Sequence, residues 1–326
     1  MRGKGWIFIW ALIPFGMIMS QPAWGEEYPS KPIEIMCAFG AGSSTDLMCR
    51  LVAETAKKYL GQPVVVVNKT GAGGSAAAAE VISSKPDGYK LFSSIINSYF
   101  AITANTQKLP FNPNSLIPLV SFLQLKDGLC VKGDSPWKTL NDLIEHARKN
   151  PGKVRWAHSG RGLGAHINIL LIFKKAGVQT VDVPYKGASE KLSALLGGHV
   201  AASTMPLGPV KDLVEAGKVR YLVVESDQRY SDLPNVPSAA ELGFPEAGRL
   251  TPHVGFCVHK DTPEEIKRTL FAAFKKSYED PTLRDGLEKL GDEPRFGDAE
   301  FLRQAIKRSE EVGIPVLKEL GLYVGK

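Results

Sequence analysis

Two strand–glycine loop–helix units in succession constrain the fold of this chain more than any other feature. The first reads KPIEIMCAFGAGSSTD over Lys31–Asp46, and the second reads QPVVVVNKTGAGGS over Gln62–Ser75. In a parallel sheet, both loops leave the carboxyl ends of their strands at one edge, where open α/β sheets bind ligands. Both loops also lead into helix N-termini, where free N–H groups and the helix dipole attract an anion. The pair therefore predicts two amide-lined anion pockets side by side.

Strand and helix patterns continue to alternate along the chain. Strands are predicted at Ile33–Cys37, Val64–Val67, Lys90–Ser94, Val154–Ala157, Val181–Val183, Val200–Ser203 and Val219–Val224. Helices are predicted to begin near Thr45, Gly74, Thr139, Gly164, Ala188, Pro209, Glu264, Pro281 and Ala299. This alternation is typical of parallel α/β layers.

One short pattern occurs twice in the chain. Residues 128–136 read GLCVKGDSP, and residues 255–263 read GFCVHKDTP. Each predicts an apolar strand, a helix N-cap at Ser135 or Thr262, and a proline in the first helical position. The repeat indicates either two related halves or independent convergence on a common strand-to-helix junction.

The first 25 residues have the pattern of a secretory signal peptide. Arg2 and Lys4 precede an apolar run from Trp6 to Met19, and the small residues of Ala23-Trp24-Gly25 follow. The run is shorter than the about 20 apolar residues that a membrane-spanning helix needs. We therefore expect cleavage after Gly25 rather than a membrane anchor. No later segment is apolar enough to span a membrane.

Length and charge narrow the class of protein. About 300 residues after the leader predict two domains of roughly 150 residues each. Removing the two leader cations from the 40 basic residues leaves 38 against 34 acidic ones, a net charge of +4. This mild excess suits a protein that meets organic anions. It does not favour nucleic-acid binding, since no basic run supports it.

The four cysteines are Cys37, Cys49, Cys130 and Cys257. They have neither a CxxC spacing nor that of a metal site. We expect small buried thiols. A Cys130–Cys257 bridge is the alternative, because these two residues occupy matching positions in the repeated pattern and an exported protein meets an oxidising compartment.

Several motifs in order resemble the Bug/TctC family, the extracytoplasmic solute receptors of tripartite tricarboxylate transporters. They are YPSKPI at Tyr28–Ile33, Asp46 at the end of the first loop, LGQPVVVVNKTGAGG at Leu60–Gly74, PDGY at Pro86–Tyr89, PYKG at Pro184–Gly187, LLGGHV at Leu195–Val200 and LPNVPSAAELGFPE at Leu233–Glu246. The resemblance covers nearly all of the chain after the leader.

The resemblance implies an α/β, two-domain periplasmic binding protein fold, with a ligand cleft between the domains and crossing hinge strands. The N-terminal domain would comprise residues 26–124 plus 252–326, and the second domain residues 125–251. The crossings are expected near Phe122–Val131 and Val254–Val258. The resemblance also implies a periplasmic location.

The expected ligand-binding residues lie in the loops that follow the predicted strands. The first loop supplies Phe39, Gly40, Ala41, Gly42, Ser43, Ser44, Thr45 and Asp46; the second supplies Gly73 and Gly74; the third supplies Asn97 and Ser98; and the middle segment supplies Ser159, Gly160, Arg161, His166, Tyr185 and Lys186. Asp46 could instead stabilise its helix N-terminus. Arg161 could bind a distal carboxylate or be a solvated loop residue, and His166 could be a packing residue.

Other functions have weaker support in the sequence. GRGLGA at residues 160–165, with Asp182 about 20 residues on, is a displaced dinucleotide fingerprint. Neither a G-x-S-x-G elbow nor an HExxH motif is present. We therefore predict a monomeric receptor that has no catalytic residues, no metal and no cofactor. Its partners would be a small organic carboxylate (a di- or tricarboxylate, an acidic amino acid or an aromatic acid) and the permease subunits. A secreted enzyme that acts on a carboxylate and a periplasmic ligand sensor are the alternatives.

Overall fold

The computed structural model of the protein describes residues 28–325, so the predicted leader and its cleavage site lie outside the described residues. The strands are β1 (Ile33–Cys37), β2 (Val64–Asn68), β3 (Lys90–Ile95), β4 (Leu116–Gln124), β5 (Asp127–Lys132), β6 (Arg155–His158), β7 (Val181–Pro184), β8 (Ala202–Pro206), β9 (Val219–Val224), β10 (His253–His259) and β11 (Glu293–Asp298). The helices are α1 (Ser44–Leu60), α2 (Ser75–Ser83), α3 (Ile96–Ala101), α4 (Leu140–Lys149), α5 (Gly164–Lys175), α6 (Ala188–Leu196), α7 (Lys211–Glu215), α8 (Glu264–Glu279), α9 (Pro281–Lys289) and α10 (Ala299–Glu319).

Two separate sheets carry the fold, and the predicted α/β class is confirmed. The first sheet has six strands in the order β11-β4-β10-β3-β1-β2, and the second has five in the order β7-β6-β8-β5-β9. β1 pairs in parallel with both β2 and β3, so the two glycine-rich loops leave the same edge of the first sheet as predicted. β6 pairs in parallel with β7 and β8 in the second sheet.

Apolar side chains on the strands form a hydrophobic core around each sheet. In the first sheet, β1 and β3 bury Ile33, Ile35 and Leu91 between layers of helices. β10 lies between β3 and β4, and a side chain at Gly255 would meet the carbonyl oxygen of Val120 at 2.1 Å. Glycine is therefore needed at that point in the central strand. The second sheet has its own buried clusters.

The first crossing between the sheets lies within the expected range Phe122–Val131, and it is a two-residue link rather than a strand. β4 ends in the first sheet and β5 begins in the second, with only Leu125 and Lys126 between them. The reason is local hydrogen bonding. The N–H of Leu125 donates to the Pro252 carbonyl, and that of Lys126 donates to the Asp292 carboxylate. The first bond extends the pairing of β4 with β10 by one residue, and the second gives the Lys126 amide a side-chain acceptor in place of a strand partner.

The long return connection runs from the end of β9 to the start of β10. Val254–Val258, where the second crossing was expected, lies inside β10, which belongs to the first sheet throughout. The strands of the first sheet come from residues 33–124 and 253–298, and those of the second from residues 127–224. The domain limits that we placed at 26–124 plus 252–326 and at 125–251 stay a prediction.

The repeated pattern does not produce the predicted helix caps. α4 begins at Leu140, and its cap is Thr139, which forms a reciprocal capping box with Asp142. Ser135 donates instead to the carbonyl of Trp137. α8 begins directly after Pro263 without a side-chain cap, and the Thr262 hydroxyl is buried without a hydrogen-bond partner in the described chain. Both predictions of a cap, at Ser135 and at Thr262, were wrong.

All four cysteines are free and buried, as expected. Cys130 lies on β5 in the second sheet and Cys257 on β10 in the first, so their strands are not neighbours. Within residues 28–325, none of the helices has the length and apolar character needed to cross a bilayer.

Candidate ligand-binding site

Two adjoining hollows lie between the sheets at the ends of the glycine-rich loops. The inner cavity is lined by Phe39, Ser43, Ser44, Thr45, Ile95, Ser98, Leu125, Asp127, Ser159, Leu163, Ala165, His166, Gly187, Ala188, Lys191, Thr204, Pro206 and Pro252. The outer groove is lined by Ala38, Phe39, Thr70, Gly71, Ala72, Gly73, Gly74, Thr106, Gln107, Ser159, Gly160, Arg161, Gly162, Pro184, Tyr185, Lys186, Glu190 and Leu322. Phe39 and Ser159 border both.

Most of the expected ligand-binding residues meet at these two hollows. Those at the inner cavity are Phe39, Ser43, Ser44, Thr45, Ser98, Ser159 and His166. Those at the outer groove are Phe39, Gly73, Gly74, Ser159, Gly160, Arg161, Tyr185 and Lys186. Gly40, Ala41, Gly42, Asp46 and Asn97 line neither hollow. Ligand contact by any of these residues stays a prediction.

Three helix N-termini converge on the inner cavity. The N-cap residues of α1, α5 and α6 are Ser43, Leu163 and Gly187, and all three line this cavity. The caps of α5 and α6 have no side-chain hydrogen bond, so the first N–H groups of these helices are not capped by a side chain. Each terminus contributes a partial positive charge. Together they favour an anion at this point.

Close packing between the sheets depends on a glycine at the start of α5. A side chain at Gly164 would place its Cβ 2.7 Å from the Ser98 hydroxyl. Ser98 belongs to α3, which follows β3 in the first sheet, whereas α5 follows β6 in the second. Gly164 therefore allows the two halves of the cavity wall to approach each other.

Asp46 holds the first loop in shape. Its carboxylate accepts the N–H of Gly42 at 2.9 Å and the Asn68 amide at 2.8 Å, and it pairs with Arg50 at 2.9 Å. Burial acts to raise the pKa of Asp46, but the hydrogen bonds from Arg50, Asn68 and Gly42 outweigh it and lower the pKa. The observed contacts are those of a residue that positions the loop.

Asn97 is likewise occupied within the protein. Its amide donates to the Thr251 carbonyl at 2.8 Å and to Ser309 at 2.9 Å, while its oxygen accepts the N–H of His253. These bonds connect α3 to the start of β10 and to α10. Asn97 is 1% exposed and lines a separate hollow.

Two buried charges at the inner cavity were missed in the sequence. Lys191 on α6 is 2% exposed, and its amine donates to the Thr204 carbonyl at 2.5 Å. Asp127 opens β5 and is 5% exposed. Burial lowers the pKa of Lys191, although Asp127 opposes that shift. Burial also raises the pKa of Asp127 to about 6, against the opposing attraction of Lys191.

Two more buried carboxyls interact electrostatically with Asp127. Glu225 accepts the Asn168 amide at 2.9 Å, and burial raises its pKa well above the usual value. Asp292 accepts the N–H of Lys126 at 3.0 Å, and burial raises its pKa to about 7. Asp292 lies close to the Ser44 hydroxyl, yet neither Oδ2 of Asp292 nor Oγ of Ser44 has a partner of good hydrogen-bond geometry in the described part of the chain.

Asp182 on β7 organises the loop at the rim of the outer groove. Its carboxylate is 3.1 Å from Nε2 of His158, 3.5 Å from Nε2 of His166, and 2.9 Å from Nε of Arg161. The contact with His166 is the largest influence on its pKa, which is well below the usual range. Burial lowers the pKa of His158 to about 4. Arg161 is thus paired within the protein.

His158, His166 and Asp182 are close enough to hold a metal ion, but their hydrogen bonds point to another role. The N–H of Gly160 donates to Nδ1 of His158, and that of Gly162 donates to Nδ1 of His166. Nδ1 of each ring therefore accepts a hydrogen bond, which leaves the ring proton on Nε2, the atom that faces Asp182. A metal would have to displace both protons, so we assign the trio to loop positioning.

Comparisons with known proteins place these features in a family. A family model described as "Tripartite tricarboxylate transporter family receptor" matches residues 48–322. The "UPF0065 protein in gbd 5'region" of Cupriavidus necator is 35% identical over 93% of this chain and 92% of its own.

Two solved structures are also similar. "R. palustris Rpa4515 with adipate" is 26% identical, with a TM-score of 0.82, over 90% of this chain and 99% of that one. "MatC (Rpa3494) from Rhodopseudomonas palustris with bound malate" is 25% identical, with a TM-score of 0.76, over 88% of this chain and 100% of that one.

Proposed function

We propose that this chain, which belongs to the tripartite tricarboxylate transporter receptor family, binds a small organic carboxylate in the inner cavity and delivers it to the permease subunits of such a transporter. The family and the fold are those of solute-binding receptors rather than enzymes. Delivery would occur in the periplasm. The sequence-based expectation of a monomer is part of the same proposal.

The convergence of three helix N-termini on the inner cavity is the observation that carries this proposal. Uncapped N–H groups donate hydrogen bonds to carboxylate oxygens, and the aligned helix dipoles add attraction without a mobile side chain. The hydroxyls of Ser43, Ser44 and Ser98 lie in the same wall. Two structural relatives are named as complexes with adipate and malate, which are both carboxylates.

Capture would proceed by closure of the two sheets around the bound anion. A ligand shifts such an equilibrium only through contacts that differ between the open and the closed state. The cavity wall meets this need, because α1 and α3 follow strands of the first sheet, whereas α5 and α6 follow strands of the second. A carboxylate held by both sides would bind the closed state more tightly.

A comparison of carboxylates with their uncharged primary amides tests the binding step. We expect carboxylates of two to six carbons to raise the melting temperature of the protein lacking residues 1–25, because ligands that bind only the folded state stabilise it. Calorimetry on the same pairs gives the affinities. Equal stabilisation by the amides, or none by any carboxylate, would refute the proposal.

Ser44→Ala, with Ser83→Ala as the matched control, connects binding to the cavity. Ser44 is buried at the cavity wall, whereas Ser83 is exposed at the end of α2. Loss of one hydrogen bond to a charged group should weaken carboxylate binding roughly tenfold or more in the first variant. The control should bind as the unmodified protein does. Similar affinities for both variants would place the ligand elsewhere.

Delivery needs a cellular test. A strain that lacks only this receptor and a strain that lacks only the permease should lose uptake of the labelled carboxylate to the same extent. Continued uptake without the permease would show that the receptor serves another system.

A further inference from the structure

Asp127 is a buried carboxylate that faces the inner cavity without a hydrogen-bond donor from the protein. It is 5% exposed and lines the cavity. Among residues 28–325, the attraction of Lys191 acts on its carboxylate without an ion pair, and no hydrogen bond to the carboxylate is found. A buried carboxylate in this state is costly unless a partner supplies donors. The missing partner must therefore come from the cavity.

We propose that the ligand carries an ammonium group beside its carboxylate, and that Asp127 binds this ammonium. This inference rests on the proposed function, since it places the carboxylate of the same ligand at the helix N-termini. The ligand class is then amino acids, in which a short carbon chain separates opposite charges. Asp127 would act as the residue that selects them over plain carboxylic acids.

Lys191 does not satisfy Asp127 directly. Its amine donates to the Thr204 carbonyl and lies 3.5 Å from the Thr204 hydroxyl, and it forms no ion pair with Asp127 among the described contacts. The two side chains therefore present opposite charges to the same cavity at separate points. A zwitterion matches this arrangement, with its ammonium toward Asp127 and its carboxylate on the side of Lys191 and the helix N-termini.

A ligand with carboxylates alone fits the inner cavity less well. Burial raises the pKa of Asp127 to about 6, which is still below neutral pH. Glu225 and Asp292 lie within electrostatic range of it. A ligand that carries carboxylates and no ammonium would place its negative charge near that of Asp127, in a site of low dielectric constant. The ammonium of an amino acid removes that conflict.

Matched ligand pairs that differ only by the amino group give the test. We use L-aspartate with succinate, L-glutamate with glutarate and L-alanine with propionate, measured by calorimetry at pH 7.5. The proteins are the unmodified mature chain, Asp127→Asn, and Asp134→Asn as the control. Asp134 is exposed on the loop after β5. Melting curves without ligand establish that Asp127→Asn is folded.

The inference expects the unmodified protein and the control to bind the amino acid of at least one pair tenfold or more tightly than its partner. In Asp127→Asn, the affinity for that amino acid should fall at least tenfold, and the preference for it over the plain carboxylate should disappear. If plain carboxylates bind better in the unmodified protein, or if Asp127→Asn leaves the preference unchanged, this inference is overturned and carboxylate binding stands. If neither member of any pair binds, both proposals are overturned.

The pH dependence of binding separates the ammonium role from that of a protonated Asp127 that donates to an anion. Between pH 7.5 and pH 5, amino-acid affinity should fall in the unmodified protein and change less in Asp127→Asn. The opposite trend would overturn the inference. Subtracting the Asp127→Asn profile removes the contributions of the other titratable groups around this carboxyl, which are Lys191, Glu225, Asp292, Tyr221, Tyr230 and His166.

Discussion

At the scale of single residues, Asp182 and Arg161 form one ion pair but have unequal surroundings. Asp182 also faces Nε2 of the fully buried His158, whereas Arg161 is 67% exposed. Asp182→Ala leaves the buried N–H of His158 without an acceptor, which should cost about 1–3 kcal/mol of unfolding free energy. Arg161→Ala removes only an exposed charge and should cost less than about 1 kcal/mol. Urea denaturation at pH 7 measures both.

Asp182→Asn serves as the control for this pair, because its oxygen still accepts the His158 proton. Its free energy of unfolding should be closer to that of the unmodified protein than the value for Asp182→Ala is. If Asp182→Ala and Arg161→Ala lose the same unfolding free energy, then Asp182 stabilises the fold through the ion pair and not through its contact with His158.

The same scale shows what a sequence can and cannot reveal about the site. The glycine loops predict Ser43, Ser44 and Ser159 at the cavity, because loops after parallel strands share an edge. Lys191 was missed, although a signal existed. It lies three and four residues before the buried Ala194 and Leu195, so it interrupts the apolar stripe of α6. Asp127 reaches the cavity only because β4 and β5 enter different sheets, which no local pattern indicates.

At the scale of elements, the capping box of α4 gives a direct test. The Thr139 hydroxyl accepts the N–H of Asp142, and the Asp142 carboxylate accepts the N–H of Thr139. Thr139→Ala should lower the free energy of unfolding by about 1 kcal/mol, the usual effect of losing a cap. Thr139→Ser keeps the hydroxyl and should be nearly neutral. If both variants lose the same amount in urea denaturation, the hydroxyl does not cap the helix.

The predicted helix starts were most accurate where a glycine, a proline or an aspartate stands at the start of the helix. β1 and β9 have the predicted bounds, and α5, α6, α8, α9 and α10 begin where expected. β11 was missed because its sequence, EPRFGD, is largely polar and the strand lies at a sheet edge. α3 was missed because it follows β3 directly, with no capping side chain to mark its start. The cap at Ser135 was wrong because the chain makes a further turn before Thr139 and Asp142 can form their box.

At the scale of the whole molecule, buried groups of two kinds give opposite dependences of stability on pH. Burial lowers the pKa of His158 and His253 from 6.5 to about 4, so the unfolded chain binds more protons in that range and stability rises with pH. Burial raises the pKa of Asp127 to about 6 and that of Asp292 to about 7, from 3.8. These carboxyls stabilise the fold at low pH and lose that contribution as pH rises.

Asp292→Asn should change the dependence of stability on pH. Asparagine retains the oxygen that accepts the Lys126 N–H but cannot ionise. Between about pH 4 and pH 7, the unfolding free energy of the variant relative to the unmodified protein should therefore increase by on the order of 1 kcal/mol per pH unit. Asp285→Asn, at an exposed position on α9, should give a profile parallel to the unmodified protein. Urea denaturation across this range measures all three, and parallel profiles for Asp292→Asn would show that this carboxyl is already ionised in the folded protein at low pH.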